Sequence, residues 1–137
     1  MTDGKGIPVA LVVAGANRHD MKLLASTLEG VVVERPEPTQ EIPQHLCGDK
    51  AYDFTVCRQE ALSHGYTPHF LSRGEEKLAK AKTPGYRARR WVVEVCHSWL
   101  NRFRKILVRF EKNLNTHLGL LHLACAYIVF KRSGVFR

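Results

Sequence analysis

Two acidic residues of this 137-residue chain stand where a carboxylate could do chemistry. Asp49 lies in Gly48-Asp49-Lys50-Ala51-Tyr52-Asp53, after a short stretch that reads as a strand and before one that reads as a helix. Ligands of open α/β sheets bind at the carboxyl ends of strands, and a carboxylate there suits a hard divalent cation such as Mg2+. A turn-and-cap role accounts for Asp49 equally well, and for Asp53 it is the better reading. Glu94 is the only acid between Arg87 and Arg109, on the polar side of an otherwise cationic helix. Taken alone, it reads better as an i,i+4 partner of Arg90, worth about 0.3 kcal/mol. As a pair the two acids have another meaning. They are the parts of metal-assisted phosphoryl transfer, in which divalent ions activate the attacking oxygen and stabilise the leaving one while Arg and Lys hold phosphates. The helix would then have to project Glu94 towards Asp49, with Arg90 and Lys105 bordering the same concavity.

Those positions need elements to hold them. Ile7–Ala14 is an apolar run that fits a strand covered on both faces, preceded by a hairpin turn at Asp3–Gly6. Asp20 can cap a helix from Met21 to about Leu28, with Gly30 at its C-terminal end, and Val31–Val33 is open between helix tail and strand. Three prolines make Arg35–Pro43 a surface loop. His45–Gly48 and Thr67–Leu71 read as strands, separated by a helix that Asp53 caps and Gly65 closes. Strands alternating with helices indicate an α/β sheet. Residues 72–86 are polar and Lys-rich and read as an exposed basic loop. From about Arg87 to Phe110 the apolar residues Val92, Cys96, Trp99, Phe103, Ile106 and Phe110 recur at helical spacing. Arg90, Glu94, His97, Asn101 and Lys105 occupy the other face. The segment from about Asn115 to Lys131 is apolar nearly all round and is expected to be a buried helix.

Composition narrows the classes of function. The length predicts one domain over 1–137. The 21 Lys and Arg against 13 Asp and Glu give a formal charge of +8, all of it carried by Ser72–Lys112, where twelve basic residues face four acids. A neutral body with one strongly basic segment suits a polyanionic partner, most often nucleic acid. Cys47, Cys57, Cys96 and Cys125 lack CxxC or zinc spacing and read as four reduced, buried thiols of a cytoplasmic protein. The seven histidines show no ligand spacing, no glycine-rich phosphate loop is present, and Ser63 and Ser98 lack the setting of a nucleophile elbow. Trp99 reads as helix-face packing, whereas Trp91 suits packing or base stacking equally. Leu118–Phe130 falls short of the ~20 residues of a spanning helix, so no membrane is implied.

Three stretches together resemble the DDE transposases of bacterial insertion sequences. They are Leu11–Asp20 (LVVAGANRHD), His45–Asp53 (HLCGDKAYD) and Trp91–Lys105 (WVVEVCHSWLNRFRK). Val108–Lys112 and the apolar run Leu120–Ile128 match as well, so the resemblance covers nearly the whole chain. It implies a partial RNase H-like fold, a mixed sheet flanked by helices, and DNA transposition by metal-dependent strand cleavage and 3′-OH strand transfer. It implies that Asp49 is the second catalytic carboxylate and Glu94 the third, holding Mg2+ or Mn2+ in a two-metal arrangement. Arg87, Arg90, Asn101, Arg102 and Lys105 fall among the DNA contacts. Arg90 matches the arginine one turn before the glutamate, Arg87 stands where the family has a tyrosine, and Asn101 where it has a lysine. The first catalytic Asp belongs to a strand upstream of the Asp3 turn, so the chain is expected to be a C-terminal part, inactive by itself. DNA, as element ends and target, is the implied partner, and a homodimer on DNA is compatible with it. A non-catalytic DNA-binding remnant is the competing expectation.

Overall fold

The computed structural model describes residues 1–82 and 91–135, which fall into two compact units, Ala14–Arg90 and Met1–Val13 with Trp91–Arg137.

The Ala14–Arg90 unit is α/β, built on a parallel strand pair. Gln44–Gly48 (β1) buries Leu46 between exposed His45 and Cys47. Tyr66–Phe70 (β2) buries Tyr66 and Phe70 and exposes Thr67 and His69, so one face of the pair is dry and the other open. The strands run in register from Gln44 opposite Tyr66 to Gly48 opposite Phe70. Both lie within a residue of the positions their sequence predicts.

Parallel neighbours require a crossover, and the helix over Thr55–Ser63 supplies it. Before it in the chain, Leu24–Glu29 (α1) follows a 3-10 turn over Asp20–Leu23 and buries Leu24 and Leu28. Thr55–Ser63 (α2) buries Cys57 and Ala61 and packs on β2 and α1. The proline loop is fastened by Arg35, which donates to Gln44 Oε1 and to the His64 carbonyl, both at 2.9 Å, and lies 4.1 Å over the Tyr66 ring.

Several local expectations are corrected. Asp20 is the first residue of its turn rather than the cap; His19 Nδ1 accepts the Met21 N–H at 3.4 Å. Asp53 does not cap α2, which follows Phe54 with no side-chain cap. Val31–Val33 is neither helix nor strand. The expected loop at 72–86 is helical over Arg73–Lys82 (α3), and residues 83–86 lie outside the described residues. The overlooked signal is a reciprocal capping box. The Ser72 N–H donates to Glu75 Oε2 at 3.0 Å and the Glu75 N–H donates to Ser72 Oγ at 3.3 Å.

The other unit opens with the expected turn. Asp3 Oδ1 accepts the Lys5 and Ile7 N–H groups, each at 2.8 Å, and Gly6 takes φ +85°, which a side chain would strain. Among the described residues only an isolated antiparallel bridge, Thr2 with Pro8, follows from it. The Ile7–Ala14 strand therefore does not form, and Pro8, lacking an N–H, limits the pairing there. The sheet of the described residues is accordingly parallel and two-stranded, not mixed.

The single basic helix is also interrupted. Trp91–Leu100 (α4) ends in i−3 bonds, from Arg102 N–H to Trp99 O and from Phe103 N–H to Leu100 O, and the helix restarts as Arg104–Leu107 (α5). Phe103 at the break is extended (φ −88°, ψ 107°), and its ring meets Tyr127 edge-on at 5.8 Å. Tyr127 belongs to Leu114–Ser133 (α6), capped by Asn113 Oδ1 on the Asn115 N–H at 2.8 Å. This helix buries one stripe, His117, Leu121, Ala124 and Ile128, and exposes Leu123, Tyr127 and Phe130, contrary to the fully buried helix expected. Among the described residues no helix is long and apolar enough to cross a membrane.

Candidate catalytic site

Asp49 stands directly after β1, at its carboxyl end, as expected. Its carboxylate is exposed, and Oδ1 accepts the Ala51 N–H at 2.8 Å, capping a 3-10 turn over Lys50–Tyr52. The cap and the strand-end reading both describe this residue, because the cap occupies one oxygen and leaves the other. Gly48 lets the turn sit close to β2. A Cβ there would come within 2.7 Å of the Phe70 ring and 3.1 Å of the Tyr52 ring. Tyr52 packs on Phe70 with ring centroids 5.8 Å apart. Its hydroxyl is held above its usual pKa of 10, first by burial and then by the negative charges of Asp20 and Asp49. The 3-10 segment that begins at Asp20 contacts this turn, which places the Asp20 charge near Tyr52.

Asp53 has a partner that capping logic missed. Arg58 Nη2 lies 2.5 Å from Asp53 Oδ1 and also donates to the Phe70 carbonyl. The only sequence signal for this was a cation five residues after an acid on a helix entrance, which is weak.

Glu94 belongs to the other unit. It is exposed in the first turn of α4, where the helix dipole favours an acid. Arg87 and Arg90, and with them the Arg90–Glu94 pair, lie outside the described residues. Asn101, Arg102 and Lys105 are all exposed, on and after the break that ends α4. Because the helix stops at Leu100, regular spacing does not carry Lys105 onto the face of Glu94, a correction to the continuous polar face. Trp91 is exposed, whereas Trp99 is partly covered, with the Arg132 guanidinium 4.0 Å over its ring.

Other chemistry-bearing groups sit on the open face of the strand pair. His45 Nδ1 and His69 Nε2 are 2.8 Å apart, and burial together with His45 lowers the pKa of His69. Cys47 shares that face and is exposed, which corrects the expectation of four buried thiols; Cys57 and Cys96 are buried and Cys125 is partly so. None of the four is in a disulfide. Burial raises the pKa of Cys96 and Cys125, which holds them as thiols.

Among the described residues no group of three or more His, Cys, Asp or Glu side chains could hold a metal ion. The donors that stand out are carboxylate oxygens, and one oxygen of Asp49 is not engaged by the Ala51 N–H. That chemistry suits Mg2+ or Mn2+, since Mg2+ keeps several waters and takes one or two carboxylates together with substrate phosphates.

Residues 1–129 match the family model of the transposase DDE domain. The chain belongs to the DDE transposase domain family. It is 31% identical over 131 residues to the Burkholderia cepacia protein assigned as the transposase for insertion sequence element IS402. That alignment takes in 93% of this chain and 59% of the relative, so the chain spans rather more than half the length of the transposase it matches. No solved structure matches the chain.

Proposed function

We propose that this DDE transposase domain serves DNA transposition, with Asp49 and Glu94 as metal-binding carboxylates of an RNase H-like catalytic fold. The observation that carries this reading is Asp49 at the carboxyl end of β1, within a chain whose family match runs over residues 1–129. The proposed reaction belongs to the whole transposase: cleavage of DNA strands at element ends, then attack of the freed 3′ hydroxyl on target DNA. Asp49 and Glu94 would hold Mg2+ or Mn2+, which when bound supplies activation of the attacking oxygen and stabilisation of the leaving one. The Asp49 oxygen not engaged by Ala51 is the one offered to the ion. Arg87, Arg90, Asn101, Arg102 and Lys105 would contact the DNA backbone and fix its register, since phosphate contacts position a duplex without reading it. A homodimer on DNA and a cytoplasmic location belong to the same proposal.

The charge segregated to Ser72–Lys112 favours a second reading, DNA binding without chemistry. One titration separates the two. Mn2+ added to the chain should broaden the amide resonances around both Asp49 and Glu94. Asp49→Asn should abolish that broadening while leaving the melting temperature unchanged, because Asn caps a turn as well as Asp. Absence of broadening at either carboxylate would leave the DNA-binding reading standing and overturn the catalytic one.

A further inference from the structure

We propose that Asp53 and Arg58 are positioning residues for Asp49, tying the turn that carries its carboxylate to the end of β2. The inference rests on the metal-binding reading of Asp49 but concerns residues that touch neither metal nor DNA in it. The turn has two ends. Its front is held by Asp49 itself, through Oδ1 to the Ala51 N–H at 2.8 Å and its carbonyl to the Tyr52 N–H at 3.1 Å. Its back is Asp53, whose N–H donates to the Lys50 carbonyl at 3.2 Å and whose side chain caps nothing. Arg58 holds that carboxylate and the Phe70 carbonyl with one guanidinium. Phe70 is the last residue of β2 and is paired with Gly48, the residue before Asp49. The chain of contacts therefore closes on itself: Gly48 to Phe70 by the strand register, Phe70 to Asp53 by Arg58, and Asp53 back to Asp49 through the turn.

Ordinary surface ion pairs contribute little, because two mobile side chains must be ordered in water. This one differs in two respects. Both side chains are about two-thirds covered, with relative exposures of 35% and 29%. The same Nη2 also serves a backbone carbonyl, so one terminal nitrogen holds two acceptors along N–H directions fixed in the guanidinium plane, which a freely rotating lysine ammonium would fix less well. Tyr52 on Phe70 and the missing Cβ of Gly48 keep the turn close enough for the reach. A carboxylate on an otherwise exposed loop gains a defined direction from such support, as metal ligands require.

Amide relaxation and Mn2+ titration of the 137-residue chain test this together. In Asp53→Asn the order parameters of the Lys50–Asp53 amides should fall from the rigid value of about 0.85 to below about 0.6, with those of β1 and β2 unchanged. Mn2+ affinity at Asp49 should drop roughly 10-fold, and Asp53→Glu, which keeps the charge, should recover part of both. Arg58→Lys is the milder variant and should move both readouts in the same direction. Turn amides that stay rigid in both variants, or that loosen only when β1 and β2 loosen too, would overturn the proposal. If Mn2+ leaves the Asp49 resonances of the unmodified chain untouched, the metal reading fails, while the order parameters still decide whether the tether exists.

Discussion

At the scale of single residues, the open face of the strand pair sets a pH dependence. His45 and His69 share one hydrogen bond of 2.8 Å between ring nitrogens, which needs one donor and one acceptor. Protonating both rings removes the acceptor and places two positive charges in contact. Burial first, and His45 second, depress the pKa of His69 below its ordinary 6.5. A base depressed in the folded state contributes stability that is fully present above its unfolded pKa and is lost as pH falls through the folded one. Unfolding midpoints should therefore decline on acidification from about pH 6.5. His69→Gln should flatten that decline in a pH series of thermal melts; an unchanged slope would show that the pair is not its source. Neither histidine stood out in the sequence, because residues 24 positions apart become neighbours only through the parallel register of β1 and β2.

At the scale of elements, α6 shows how far periodicity reaches. Its sequence is apolar on all sides, so no face could be read from it, whereas the fold covers the stripe through His117, Leu121, Ala124 and Ile128. Ile128, 5% exposed, and Leu123, 68% exposed, are similar side chains with opposite surroundings. Ile128→Ala should cost about 2–5 kcal/mol by denaturant unfolding. Leu123→Ala should stay within about 0.5 kcal/mol, and equal losses at the two sites would contradict this packing. The α4–α5 break has the same origin. Local spacing favours a helix continuing through Phe103, but the ring-to-ring contact with Tyr127 accompanies an extended residue there. By contrast, α3 was legible: Ser72-Arg73-Gly74-Glu75 is a capping-box pattern followed by good helix formers, outweighed in the sequence reading by polarity and a following Thr-Pro-Gly.

At the scale of the whole molecule, charge dominates. The excess of +8 resides in Ser72–Lys112, and within it Lys77, Lys82, Arg102, Arg104, Lys105, Arg109 and Lys112 are exposed. Cations left in water are available to displace counterions from a polyanion. The proposed DNA binding should weaken steeply with salt, with a log–log slope of about −0.9 for each phosphate neutralised and little dependence on sequence. Affinity for unrelated duplexes measured across a salt series tests this, and binding insensitive to salt would rule out the electrostatic account.

What the sequence by itself determined is what depends on neighbours along the chain. Both strands, the proline loop, the Asp3–Gly6 turn, the strand-end place of Asp49 and the uneven charge all follow from local pattern, and so did the family to which the residue motifs pointed. Tertiary structure decided the rest. Ile7–Ala14 had the composition of a strand but found one bridge instead of a ladder. Asp53 had the position of a cap, yet it faces Arg58, because β2 brings the Phe70 carbonyl to the same guanidinium. Spacing reports which residues could share a face; only packing decides which partner is there to meet them.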